Sequence, residues 1–214
     1  MSDNSRFRKT RKLLFIVGAI PVSAVVLLLM TLSAGIQSRI LIAYRLAGRS
    51  MYPTIHIGDR IIVRKTSHAW TRGELVAYKP PQDPTRRYLH RVIGVSGDQI
   101  QLRENQLLVN DKTVERRLTK EPCRTGLTCT IWTEKLDGKS YQVALGSGTS
   151  PDFGPETVPD DYVFVLGDNR NDSNDSRYGG AVPNDFVMGV VEIIYWSSND
   201  KDGVDWSRIG RLVH

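Results

Sequence analysis

Between Leu13 and Ser38 the chain reads "LLFIVGAIPVSAVVLLLMTLSAGIQS", with no charged residue in the run. Roughly 20 apolar residues suffice for a helix to cross a bilayer, so residues 13–38 are read as a transmembrane anchor. Residues 1–12 form a basic tail with five Lys/Arg and one Asp. Such flanks stay cytoplasmic, which sends everything after Arg39 to the far side of the membrane. Pro21 kinks the helix without excluding it. A cleaved signal peptide is the alternative, since "LSAG" closes the run, but the apolar stretch exceeds the roughly 7 to 15 residues of a signal-peptide core.

The tail also accounts for most of the net charge of +6. A body so nearly neutral excludes the nucleic-acid-binding class. At 214 residues the chain holds a soluble domain beyond the anchor, long enough to bury a core. Its two cysteines, Cys123 and Cys129, stand in "CRTGLTC". Facing an oxidising compartment, they read as a small-loop disulfide, with two free thiols as the alternative. No histidine stands near them at metal-ligand spacing, so no metal is expected.

From residue 58 onward the sequence breaks into short apolar segments: "DRIIVRK", "ELVAYKP", "YLHRVIGV", "QIQLRENQLLVN", "YQVAL", "YVFVLG" and "FVMGVVEIIYW". Gly, Pro, Asn and Asp punctuate them, and no long stretch of helical period competes. The expected fold class is therefore mainly β. Residues 39–103 together with 161–214 are read as a β-sheet catalytic core. Residues 104–160, more polar and carrying the cysteine pair, are read as an inserted annex.

Chemistry concentrates in four ordered blocks behind the apolar run: "GRSMYPTIHIGDRIIV", "RGELVAYKPP", "RYLHRVIGVSGDQI" and "GDNRNDSNDSRYGG". A lone serine before "MYPT" proves little, but the ordered set resembles the type I (leader) signal peptidases, membrane-anchored serine proteases that remove signal peptides. The resemblance runs from the anchor to "WSRIG" and is loose only in the annex. It implies Ser50 as nucleophile, with Met51 and Pro53 shaping the loop that presents it. The cysteine pair also looks like the short disulfide of some bacterial members.

In the bacterial branch a lysine acts as the base, and here His90 stands at its place. A lysine base needs a desolvating pocket to bring its pKa from about 10.4 to near 8, whereas histidine starts near 6.5. A histidine here resembles the endoplasmic-reticulum and archaeal branch, with its Ser-His-Asp arrangement. For the group that orients the imidazole, the resemblance implies Asp175 first, then Ser173, which matches the serine that positions the lysine, then Asp168. Arg170 and Arg177 are read as braces of this acidic block. The other reading of His90 is a disabled site. His56 matches no family base, His68 and His214 read as surface residues, and Lys65 and Lys79 rank below His90. For the oxyanion, the Ser50 N–H is the expected donor, and Gly48 stands where some members carry a second, hydroxyl donor.

The resemblance implies cleavage of exported preproteins, bound as an extended segment along a strand edge, at Ala-x-Ala-like sites. The lipid bilayer and the export machinery are expected partners, and no cofactor is expected. An apolar rim near Met51 and Tyr52 is expected to dip into lipid. Two further readings stand beside a general signal peptidase: a specialised pilin-type maturation peptidase, and a catalytically impaired preprotein-binding form. Self-cleaving repressors of the same superfamily are soluble and bind DNA, which the anchor argues against. Two "NDS" triplets inside the fourth block fit the glycosylation pattern and are read as coincidence.

Overall fold

The structure, a computed structural model, describes residues 41–66, 69–123, 128–148, 150–199 and 203–213. The expected tail and anchor, residues 1–38, lie outside the described residues, as do His68 and His214. Among the described residues no helix is long and apolar enough to cross a membrane.

The chain is mainly β, as its punctuated apolar segments imply. The first strands are β1 (Leu41–Arg45), β2 (Asp59–Arg64), β3 (Leu75–Tyr78) and β4 (Tyr88–Val95). The middle supplies β5 (Gln99–Arg103), β6 (Gln106–Val109), β7 (Lys112–Thr113), β8 (Glu115–Leu118), β9 (Cys129–Leu136), β10 (Lys139–Gly146) and β11 (Phe153–Thr157). Then come β12 (Tyr162–Leu166), a single helical turn α1 (Ser176–Gly179), β13 (Val182–Pro183), and the long β14 (Val187–Asn199). The main sheet runs β1-β2-β14-β3-β4-β12-β13, with antiparallel neighbours throughout. Two smaller sheets, β11-β5-β6-β7 and β10-β9-β8, take up most of residues 99–157.

Each of the seven expected segments forms a strand. "QIQLRENQLLVN" folds back on itself as β5 and β6 because Glu104 and Asn105 both take positive φ, 50° and 64°. Such a pair matches the twist of the flanking strands. Strand β9 was not expected, and its reason is chemical. Its "CTIWTEKL" buries Ile131, Glu134 and Leu136, and a buried charge disguises the alternation on which strand recognition rests.

Period-two alternation divides the core. Leu75 and Ala77 of β3 pack with Met51, Ile55, Ile61 and Leu89 on one face. Val76 and Tyr78 pack with Val92, Val163, Val165 and Val182 on the other. A third cluster joins Ile93, Phe164 and Leu166 of the main sheet to Ile100, Leu107 and Val143 of the smaller ones. Cys123 and Cys129 form a disulfide with six residues' separation, packed beside Ile131, Ala144 and Tyr52.

These roles predict unequal costs. Phe164→Ala, at the junction of the sheets, is expected to lower stability by about 3–5 kcal/mol in urea unfolding. Replacing both cysteines by serine should remove roughly 2 kcal/mol, the loop-closure entropy of so short a ring.

Candidate active site

After β1 the chain makes a tight turn. The Tyr52 N–H donates to the Arg49 carbonyl at 3.0 Å, and the Ile55 N–H to the Met51 carbonyl at 2.8 Å. The turn is held from beneath, because Met51 is fully buried and Tyr52 nearly so. Neither residue can itself form the apolar rim expected in this neighbourhood, because both face the protein interior. The Tyr52–Pro53 peptide bond is cis.

Ser50 sits half-buried at the head of this turn. Its carbonyl accepts from the Asn169 N–H at 2.9 Å, and the Asn169 side chain donates to the Arg49 carbonyl at 3.2 Å. These bonds lock the serine loop to the segment after β12. Its Oγ and N–H make no hydrogen bond among the described residues. Between loop and segment lies Gly167, where a Cβ would come within 2.5 Å of Ser173 Cβ and 2.6 Å of Ser50 O. Glycine is needed there for the close approach.

His90 comes from β4. Its Cα partner on β3 is Val76, while Tyr78 pairs with Tyr88. Residues diagonal across an antiparallel pair share a face, and the Tyr78 hydroxyl reaches His90 Nδ1 at 2.8 Å. On the other side His90 Nε2 lies 3.2 Å from Ser173 Oγ. Tyr78 and Tyr88 flank the imidazole with ring centroids 5.7 and 5.9 Å away. Burial in this aromatic box pushes the His90 pKa down to about 4, against the opposing charges of Asp175 and Asp168.

The acidic block is arranged differently from expectation. Asp175, the first choice for orienter, makes no hydrogen bond to His90. Its carboxylate caps α1, accepts the Gly167 N–H at 2.9 Å and forms a two-pronged bond with Arg177, both contacts at 2.8 Å. Burial works to raise its pKa, but Arg177 holds it below the usual carboxylate range. Asp175 therefore acts on the ring only through its charge. Asp168 is likewise committed elsewhere: Arg91 grips it at 2.8 and 2.7 Å, and Thr54 Oγ1 donates to it. Arg177 does brace the block. Arg170 donates to the Gly167 carbonyl within the block at 3.2 Å and also reaches out to Glu134 of β9 at 2.7 and 2.6 Å.

Ser50 and His90 line one cleft of about 560 Å³, together with Gly48. Gly48 is exposed, and a Cβ there would meet nothing within 4 Å. Pro53, Lys65, Lys79 and His56 are not among its lining residues; His56 stacks on Tyr52 with centroids 5.3 Å apart. Among the described residues no group of His, Cys, Asp and Glu could hold a metal ion. Sequence reasoning missed Tyr78 and Arg91. Both stood in quoted blocks, but only the β3–β4 register and the fold of the acidic block reveal what they touch.

The comparisons with known proteins agree on one family. Residues 19–196 match the model described as "Signal peptidase, peptidase S26". The chain is 30% identical over 178 residues to the signal peptidase I of Leptolyngbya laminosa, covering 78% of this chain and 75% of that one. It is 33% identical over 162 residues to signal peptidase I T of Bacillus subtilis (strain 168), covering 73% and 75%. A signal peptidase I structure from Enterococcus faecalis V583 overlaps with a TM-score of 0.37 at 24% identity, covering 58% of this chain and 98% of that one; so slight an overlap carries no argument.

The depressed His90 pKa makes stability depend on pH. An unfolded histidine titrates near 6.5, and the folded one at about 4. Between these values the unfolded chain binds more protons, so the contribution is full above about pH 6.5 and is lost as pH falls toward 4. Urea unfolding should show a loss on the order of 3 kcal/mol across that window. The loss should shrink in His90→Gln, which leaves the carboxylates in place.

Proposed function

Since the chain belongs to the signal peptidase family, peptidase S26, we propose that Ser50 attacks the scissile carbonyl while His90 takes its proton. The chain is a serine peptidase that cleaves signal peptides from preproteins. The observation that carries the proposed chemistry is the shared cleft, with Ser50 Oγ unbonded and His90 held in a buried box beside it. The acyl-enzyme forms as His90 returns the proton to the leaving amine, and water then hydrolyses it. The Ser50 N–H, which has no partner among the described residues, is the oxyanion donor, and Gly48 contributes no hydroxyl.

The substrate lies extended along the start of β4. Residues Tyr88–His90 pair with β3 on one side, while pairing with β12 begins only at Arg91. Their outer edge is open to another strand, and β1 residues Tyr44 and Arg45 form part of the facing wall. Ile61, Ala77 and Leu89 give the cleft an apolar floor, suited to the small side chains of Ala-x-Ala-like sites. Residues 13–38 anchor the chain, with the tail cytoplasmic and the peptidase domain extracytoplasmic. Anchoring confines enzyme and preprotein to one surface and raises their effective concentration. The export machinery delivers the substrate there.

A second reading is a preprotein-binding form with impaired catalysis. What favours it is that both ring nitrogens of His90 contact groups other than Ser50.

Preprotein cleavage against pH separates the two. Under Ser/His chemistry, Ser50→Ala and His90→Ala each lose at least about 10³-fold in kcat. The acidic limb of the intact protein falls near pH 4 to 5, following the buried ring, well below the limb near pH 6.5 that an unperturbed histidine gives. A silent protein that is restored by His90→Lys, with an alkaline optimum, establishes the impaired form.

A further inference from the structure

A neutral imidazole has one N–H and one lone pair, and a phenol has one proton to place. Around His90 these protons can be placed by elimination. Tyr78 is 3% exposed and packs among Val76, Val92, Val163, Val165 and Val182. Its hydroxyl bonds to His90 Nδ1, and among the described residues it has no other partner. If Nδ1 carried the ring proton, the Tyr78 proton would have no acceptor within reach among the described residues, and a buried donor without an acceptor is costly. If Tyr78 donates to Nδ1 instead, the ring N–H moves to Nε2 and donates to Ser173 Oγ. Ser173 is only half-buried, so its own proton is free to turn toward water.

The neighbourhood of Gly167 argues that Nε2 is the nitrogen turned toward the Ser50 loop. Its partner Ser173 and the Ser50 carbonyl both crowd against Gly167. We infer that Tyr78 is a positioning residue that holds resting His90 in the Nε2–H tautomer, with the ring's lone pair capped at Nδ1 and turned away from Ser50. The phenol cannot pass its proton on to Nδ1, because burial and the charge of Asp175 push its pKa up. The inference builds on the Ser50/His90 chemistry proposed above. A base facing Ser50 needs a bare Nε2, so the productive tautomer is a minority form whose share Tyr78 sets.

The test reads the tautomer directly. The full-length protein, labelled with ¹⁵N-histidine in detergent at pH 7, is examined by NMR, with the His90 signals identified by their loss in His90→Gln. The expected result is a protonated Nε2 and a bare Nδ1; a protonated Nδ1 overturns the inference. Tyr78→Phe removes the cap with little change of shape. It should shift the ring toward the Nδ1–H form and raise kcat about tenfold at unchanged KM, the return expected when a buried hydrogen bond no longer opposes the productive form. A folded Tyr78→Phe protein with unchanged or lower kcat also overturns it, because a purely structural role for Tyr78 gives that result. Should His90→Ala keep full cleavage, the Ser/His reading falls, while the NMR experiment still decides the tautomer of His90 by itself. The measurement on the unsubstituted protein stands even where a variant fails to fold.

Discussion

Arg91 and Asp168 face each other with their side chains wholly removed from solvent. Removing either partner of such a pair strands the other as a buried charge, at about 3–5 kcal/mol. The pair ties three parts of the site at once. Arg91 directly follows His90 in β4 and also donates to the Gly73 carbonyl at 2.7 Å. Asp168 lies between Gly167 and Asn169, the two residues that meet Ser50, and takes the Thr54 hydroxyl from the serine loop. The Tyr141 ring lies 4.1 Å from the Arg91 guanidinium, and Arg170 with Glu134 adds a second buried pair from the same segment to β9. The serine loop, β4 and the acidic block therefore hold their positions through charges placed where water cannot reach.

Those charges also explain what could be read from the sequence. Apolar segments between turn residues were enough to find the main sheet, and the ordered blocks singled out Ser50 and His90, which line one cleft, and Ser173, which lies against His90. Asp175 was misjudged as a hydrogen-bonding partner of His90, because a sequence shows that a carboxylate is near but not which donor it faces. Arg177, two residues away, takes both of its oxygens. Tyr78 was invisible for another reason. Its contact with His90 is diagonal across a strand pair, and the register that creates it emerges only when β3 and β4 are laid side by side. An apolar rim was expected near Met51 and Tyr52, yet these two side chains are buried as the serine loop's own foundation.

The aromatic box around His90 has a further meaning for the chemistry. It moves a group with a native value near 6.5 to about 4. A shift of that size on an ammonium would bring it from about 10.4 to near 8, the range in which a lysine serves as a base. The same desolvation that activates a lysine weakens a histidine. The position thus carries an imidazole in surroundings whose electrostatics suit an amine, with Tyr78 supplying a polar contact on a face whose other fully buried residues are valines.

The open edge at the start of β4, proposed above to receive the substrate, is also a liability. An unpaired strand edge is a template for any other chain with free backbone groups, including another copy of itself. Pro84, Arg86 and Arg87 stand immediately before that edge, and both arginines are exposed. Arg87 folds back to donate to the carbonyls of Pro84, Thr85 and Arg86, closing acceptors that would otherwise extend the edge. Like charges at this entrance repel a second copy, and proline cannot donate to a growing ladder. The opening therefore has room for a short stretch of strand and discourages the open-ended stacking that begins aggregation.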